Sequence, residues 1–251
     1  MEKDPNYIYE EHYWRSIEGP FTIQHCKICR SIKKRFTALR RLVFQPRGRM
    51  RERIVEYPLA LAAMSNLPKG SRVADLGGAS SLLGLYLTSL GHEVHVLDLR
   101  PSPLKHPKLH VQQIDAFDND LPDNHFDGIS CISVIEHVGI VRYGGQERID
   151  GDVALLKEMR RLCKIQGLMV LSGPYGKGHD PETDGPPSGY RIYNRERLKK
   201  LVEDFEVESL QFFVIENGVW VEKDQRAADQ APTSRPINGI FFARLCNPIQ
   251  K

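Results

Sequence analysis

Residues 73–80 read VADLGGAS, and twenty-one residues beyond Gly77 a second apolar run, VHVLDLRP, carries Asp98. An apolar strand that runs into a carboxylate and a glycine pair, then a helix, then a second strand ending on a carboxylate, describes a parallel crossover unit. Gly77, Gly78 and Ala79 permit a tight turn and close backbone approach, and the helix that follows offers free N–H groups. In open α/β sheets ligands bind at the carboxyl ends of the strands where the strand order switches, which puts residues 75–81 at a site.

The rest of the chain repeats this alternation. Strands are expected at Arg72–Leu76, Glu93–Asp98, Leu109–Ile114, Phe126–Ile132, Gly167–Gly173, Phe205–Phe213 and Ile237–Leu245. Helices are expected from Ser80 or Ser81 to Leu90, over Asp150–Cys163 with Val153, Leu156, Met159 and Leu162 on one side, and over Asn194–Val202. The pattern predicts an α/β fold with a mostly parallel, doubly wound sheet. A chain of 251 residues accommodates one large core with a small appendage. The division expected is an N-terminal basic helical extension over 1–56, acting as a lid, and a main domain over 57–251. The Pro/Gly-rich stretch 176–190 and residues 214–235 read as loops.

With 41% hydrophobic and 27% charged residues, the composition speaks against a disordered chain and against a membrane protein. No apolar run approaches the roughly 20 residues a bilayer span needs, and the N-terminus MEKDPNYIYEEHYW is not a secretion signal, so a cytoplasmic protein is expected. Of five cysteines, Cys131, Cys163 and Cys246 lie in apolar segments and read as reduced core residues. Cys26 and Cys29 have a zinc-like spacing but no second Cys/His pair follows at a suitable distance, so they read as helix-facing thiols and no metal ligand is assigned. Residues 27–53 hold eleven Lys or Arg against one Glu, with Cys29, Ile32, Phe36, Leu39 and Val43 at helical spacing. This amphipathic helix has a basic face, either simply solvated, or attracting an anionic substrate such as a phosphorylated sugar or RNA, or, as a third reading, lying on a membrane surface.

A strand-end acid such as Asp98 suits ribose hydroxyls, and to this point NAD and S-adenosylmethionine (SAM) fit equally. Two features separate them. Counting a G-x-G-x-x-G fingerprint from Gly77 puts Ala79 second and Leu82 third, a poor dinucleotide match. Asp75, just before the turn, would repel a pyrophosphate but can order the loop around a cationic amino-acid portion.

The chain resembles the class I SAM-dependent methyltransferases, with a type-11-like methyltransferase domain. The resemblance runs from about Glu56 to Phe213 and rests on VADLGGAS, VHVLDLRP, QQIDAFD, FDGISCISVIEHVG and LLKEMRRLCKIQGLMVLSGPYG, in order. It implies a seven-stranded Rossmann-like sheet, six strands parallel and one antiparallel. It also implies SAM as cofactor and S-adenosylhomocysteine as product. By the resemblance Asp75, Gly77 and Ala79 would line the methionine portion, Asp98 the ribose, Asp115 and Ala116 the adenine, and Ser133 the cofactor's inner edge, with Gly78 and Leu99 as further cofactor contacts. Family glycines stand as Ala79 and Ser81 here. Ubiquinone-pathway and small-RNA methyltransferases resemble this region with an E-x-x-E-H metal set, whose first Glu is Ser133 here, leaving one carboxylate and one imidazole.

Glu136 and His137, just beyond the fourth strand, are the candidate catalytic residues, with His137 as a general base or as packing. Arg142, Tyr143 and Tyr190 are the candidate substrate contacts, with His179 and Arg191 as further polar loop residues. The function expected is methyl transfer to a hydroxyl of a small molecule or glycan. The alternatives are RNA methylation through 27–53, a non-catalytic binding module of the same fold, and an NAD-dependent oxidoreductase. The acceptor atom and the oligomeric state are not written in the sequence.

Overall fold

A computed structural model describes residues 51–140, 147–148, 150–179, 190–233 and 237–249. Arg142, Tyr143, Cys26, Cys29 and nearly all of the basic segment 27–53 lie outside the described residues. One compact unit runs from Glu52 to Lys251. A boundary at residue 57 therefore falls inside its first helix, α1 (Arg53–Met64).

The chain continues through β1 (Arg72–Leu76), α2 (Leu83–Ser89), β2 (Glu93–Asp98), β3 (Leu109–Gln113), β4 (Phe126–Ile132), α3 (Gly151–Leu162) and β5 (Cys163–Pro174). It ends with α4 (Arg195–Val202), β6 (Glu206–Glu216), β7 (Val219–Lys223), α5 (Gln225–Ala228) and β8 (Gly239–Cys246). The sheet order is β3-β2-β1-β4-β5-β8-β6-β7, eight strands rather than the seven expected. β1 to β5 pair in parallel, β8 is antiparallel to β5 and to β6, and β7 is antiparallel to β6. The addition is β7, an edge strand in the stretch read as a loop. Asn217 and Gly218, both at positive φ, turn the chain back on β6, as an Asn-Gly pair does in a two-residue hairpin.

Both faces of the central strands are covered. Ala74, Leu76, Phe126, Ile129, Cys131, Met169 and Leu171 pack on α3 and α4 through Leu155, Leu156, Met159, Leu198 and Leu201. On the other face Val73, Val94, Val96 and Val170 meet Ala60, Ala63 and Met64 of α1 and Leu83 and Leu87 of α2. Burial on both sides explains why these strands read as continuous apolar runs. Cys131, Cys163 and Cys246 are free and buried, as expected of core thiols.

Local signals set the helix starts. Ser81 Oγ accepts the Leu83 N–H at 3.0 Å, and Asn194 Oδ1 accepts the Arg197 N–H at 2.9 Å. Gly84 lets α2 lie close on the sheet, because a Cβ there would meet Leu109 Cδ1 and Val96 Cγ2 at 3.1 Å. The glycine for helix–strand approach thus stands two positions beyond Leu82, where a dinucleotide fingerprint would have it. Among the described residues no helix is long and apolar enough to cross a membrane.

Candidate active site

The carboxyl ends of β1, β2 and β4, with the segments after β3 and β4 and one side of α1, enclose a cleft. Its lining includes Asp75, Gly77, Gly78, Asp98, Leu99, Asp115, Ala116, Ser133 and His137. The turn after β1 is bare backbone for a physical reason. Gly77 is left-handed at φ 69°, and a Cβ on it would lie 2.5 Å from Val134 Cγ2. A Cβ on Gly78 would lie 2.3 Å from Asp75 Oδ2. Neither position tolerates a side chain without displacing its neighbour.

Asp75 is buried under that turn. Its Oδ1 accepts the Ser130 hydroxyl at 2.8 Å, while Oδ2 has no hydrogen-bond partner. Burial pushes its carboxyl up to about 7, against the lowering effect of the Ser130 hydrogen bond and of Arg53.

Asp98 is more heavily engaged than a simple ribose grip would require. Oδ2 accepts the Ala79 N–H at 2.9 Å and Arg100 Nη2 at 2.9 Å, and Oδ1 accepts the Arg100 N–H at 2.9 Å and Nε at 3.1 Å. Ala79 therefore does not line the cleft; it is buried behind the turn and ties the turn to β2. Asp115 Oδ1 accepts the Phe117 N–H at 2.9 Å, so this acid also shapes its own turn.

Ser133 stands at the tip of β4 at φ 47°, a left-handed conformation uncommon for a residue with a side chain. Its hydroxyl donates to Glu56 Oε1 at 2.6 Å rather than into the cleft, and Ser172 Oγ donates to the same oxygen at 2.8 Å. Glu56 Oε2 accepts Arg53 Nη1 at 2.6 Å. Glu56 is wholly buried, whereas Arg53 is about a third exposed and lines the cleft beside Tyr57. The Tyr57 hydroxyl is 2.8 Å from Ser81 Oγ. The sequence does not single out Arg53, Glu56 or Tyr57, and it puts Glu56 in the expected lid; their partners are far along the chain, and only the apolar spacing of α1 is visible.

His137 faces the cleft from the short helix after β4, its ring packed edge-on against Tyr190 at 5.9 Å. Glu136 does not face the cleft; it is buried beneath, with Oε1 3.7 Å from His137 Nε2. Burial pushes the Glu136 carboxyl up to about 8, and Oε2 has no hydrogen-bond partner. Tyr190 is buried and outside the cleft lining. Arg191 is not a surface loop residue, since it is fully buried with Nη1 donating to the Val138 carbonyl. His179 pairs through its backbone with Ile192.

The family model described as a methyltransferase domain, of type 11, matches residues 74–171, the stretch that carries β1 to β5 and every described cleft residue outside α1. Over those residues the chain is similar to a methyltransferase domain. A ubiquinone biosynthesis O-methyltransferase of Xanthomonas campestris pv. campestris (strain B100) is 28% identical over 130 residues, 46% of this chain and 54% of that protein. The chain thus spans about half the length of the curated relatives it matches. Among solved structures, the 1,6-didemethyltoxoflavin-N1-methyltransferase of Burkholderia thailandensis, bound to 1,6-didemethyltoxoflavin and S-adenosylhomocysteine, superposes with a TM-score of 0.54. It is 15% identical, over 92% of this chain and 93% of that one. A SAM-dependent methyltransferase of Methanosarcina mazei gives 0.52 at 14% identity, over 77% of this chain and 99% of that one. At such identities the likeness is one of fold, and the chemistry has to be argued from the cleft.

Proposed function

We propose that this protein transfers a methyl group from SAM to a hydroxyl of a small molecule. The observation that carries the reading is the bare Gly77–Gly78 turn between two buried strand-end acids, Asp75 and Asp98, inside a domain of the matched family. The residues present fit the cofactor. A turn without Cβ atoms lets the amino-acid portion approach the backbone, and Arg53, on the cleft wall, offers a guanidinium to its carboxylate. Leu99, Ala116 and Phe117 supply apolar surface for a base. Asp98 would meet the ribose once the Arg100 side chain turns away, since the guanidinium donates two hydrogen bonds to that carboxylate.

When bound, SAM supplies a methyl group activated by the positive sulfur it is attached to. The rest falls to the chain. The cleft walls would have to orient the acceptor hydroxyl toward that methyl group. That methyl group would be supplied to the acceptor oxygen, and the His137 imidazole, on the cleft wall, would take the hydroxyl proton. Glu136 lies beneath it, its carboxyl pushed up to about 8 by burial. The printed name of the Xanthomonas relatives, an O-methyltransferase, supports a hydroxyl as acceptor.

Thermal unfolding without ligand and with SAM, S-adenosylhomocysteine or NAD in excess tests the cofactor. A ligand at 100 times its Kd stabilises by roughly 2.7 kcal/mol, which moves the midpoint by several degrees. A rise with both adenosyl compounds and none with NAD is expected. A rise with NAD alone, or none at all, defeats the reading. Production of S-adenosylhomocysteine with hydroxylated small molecules, glycans and RNA as separate arms then identifies the acceptor class.

A further inference from the structure

The amino-terminal halves of β2 and β3, at the end of the sheet away from the cleft, carry a cluster of metal-ligating side chains that methyl transfer does not use. Glu93 and His95 are two residues apart on β2 and so share a face, and His110 on β3 is the register partner of His95. Glu93 Oε1 is 3.3 Å from His110 Nε2 and 3.7 Å from His95 Nε2, and one ligand atom from each residue lies within 4.8 Å of the others.

These separations have a chemical scale. Ligand bonds of about 2.0–2.1 Å in a tetrahedral zinc site put neighbouring ligand atoms about 3.4 Å apart. Both edges that include Glu93 are near that length already, and only the His95–His110 edge has to close by a rotation of the half-exposed His110.

A second observation concerns His95. Its side chain is 12% exposed, and neither ring nitrogen has a hydrogen-bond partner. Buried imidazoles ordinarily find one, so a ring left without any is short of a ligand. The ring is held in place by its strand and by Phe126, whose ring centre is 5.4 Å away and edge-on. The neighbouring cation, Arg72, turns its Nη1 toward His125 Nδ1 at 3.4 Å, and His125 is 6.1 Å from His95 by ring centres. Glu93 and His110 are each 44% exposed, so a fourth position opens to water.

We propose that Glu93, His95 and His110 bind one divalent transition-metal ion, zinc by preference, with water completing the site. Two imidazoles and one carboxylate form a donor set suited to zinc, and their net charge of −1 complements a dication. The ion joins β2 to β3, the outermost strand at that edge. It acts as a clamp remote from the cleft and takes no part in methyl transfer.

The test uses the full chain without an affinity tag, stripped with a chelator that is then removed, and titrated with Co2+ and afterwards Zn2+. One equivalent of Co2+ is expected to bind with visible ligand-field bands and no thiolate charge-transfer band, and Zn2+ should displace it. His110→Ala and Glu93→Gln should each weaken binding by more than about tenfold, the loss that even an outer-shell partner of a metal site can cause. The double variant Cys26→Ser/Cys29→Ser should bind as the parent does. Circular dichroism checks folding; should His110→Ala fail to fold, Glu93→Gln, which keeps its shape, decides. No binding by the parent chain, undiminished affinity in a folded variant of Glu93 or His110, or loss of binding in the double cysteine variant overturns the proposal.

Discussion

Ser133 donates its hydroxyl to Glu56 at 2.6 Å, tying the tip of β4 to a helix residue that lies 77 positions earlier in the chain. With Ser172 and Arg53 on the same carboxylate, Glu56 fastens α1 to the sheet beside the cleft. Glu56→Ala leaves two buried hydroxyls without an acceptor and Arg53 without its partner. Because Arg53 is a third exposed, its share is screened. A loss of roughly 2–4 kcal/mol in unfolding free energy is expected by chemical denaturation. A loss below about 0.5 kcal/mol, the ordinary range for a surface substitution, would mean that the network holds nothing together.

Arg100 and Asp98 set a competition that binding measurements can read. Asp98→Ala should raise the Kd for SAM about tenfold or more, since hydrogen bonds to a charged group contribute about 1.5–3 kcal/mol. Arg100→Ala uncovers the carboxylate and should tighten binding of SAM and S-adenosylhomocysteine several-fold in calorimetry. Weaker binding in Arg100→Ala would show instead that the guanidinium contacts the ligand.

Much of this frame is legible in the sequence because its signals are local. β1 is an apolar run closed by glycine and β2 one closed by a carboxylate, and Asn194 stands where a helix cap belongs. The Asn217–Gly218 turn that creates β7 is equally local, yet a segment of only five residues with one charged end reads weakly as a strand. What cannot be read depends on distance along the chain. Nothing in EYPLALAAM says that its first residue will meet Ser133 and Ser172. Nothing in YRIYN says that Arg191 will be enclosed and bonded to the Val138 carbonyl. Charged residues in such stretches default to the surface, and only the folded chain shows which are enclosed.

Glu136 should leave a signature in the pH dependence of stability. Its carboxyl rises from 4.5 to about 8 in the folded chain, so between these values the folded state holds a proton that the unfolded state has released. Stability from this group is fully present below pH 4.5 and is lost as pH rises toward 8. Asp75, raised to about 7, adds a decline that ends sooner. Comparing unfolding midpoints of the parent chain with Glu136→Gln from about pH 5 to 8.5 isolates the first. The variant should become relatively more stable as pH rises, and parallel curves would place the Glu136 carboxyl at an ordinary value.

His137 is the proposed base, and its two roles, base or packing, can be told apart. As a base it acts on the acceptor's proton, so His137→Ala should lower kcat by about a hundredfold or more while the Kd for SAM stays near the parent value. The loss should also shrink as the acceptor becomes more acidic, because an acceptor already ionised has no proton to give up. As packing against Tyr190, the histidine would affect every acceptor alike and lower the unfolding midpoint. A kcat loss that is constant across acceptors of graded acidity, accompanied by destabilisation, would remove His137 from catalysis and leave proton removal to solvent.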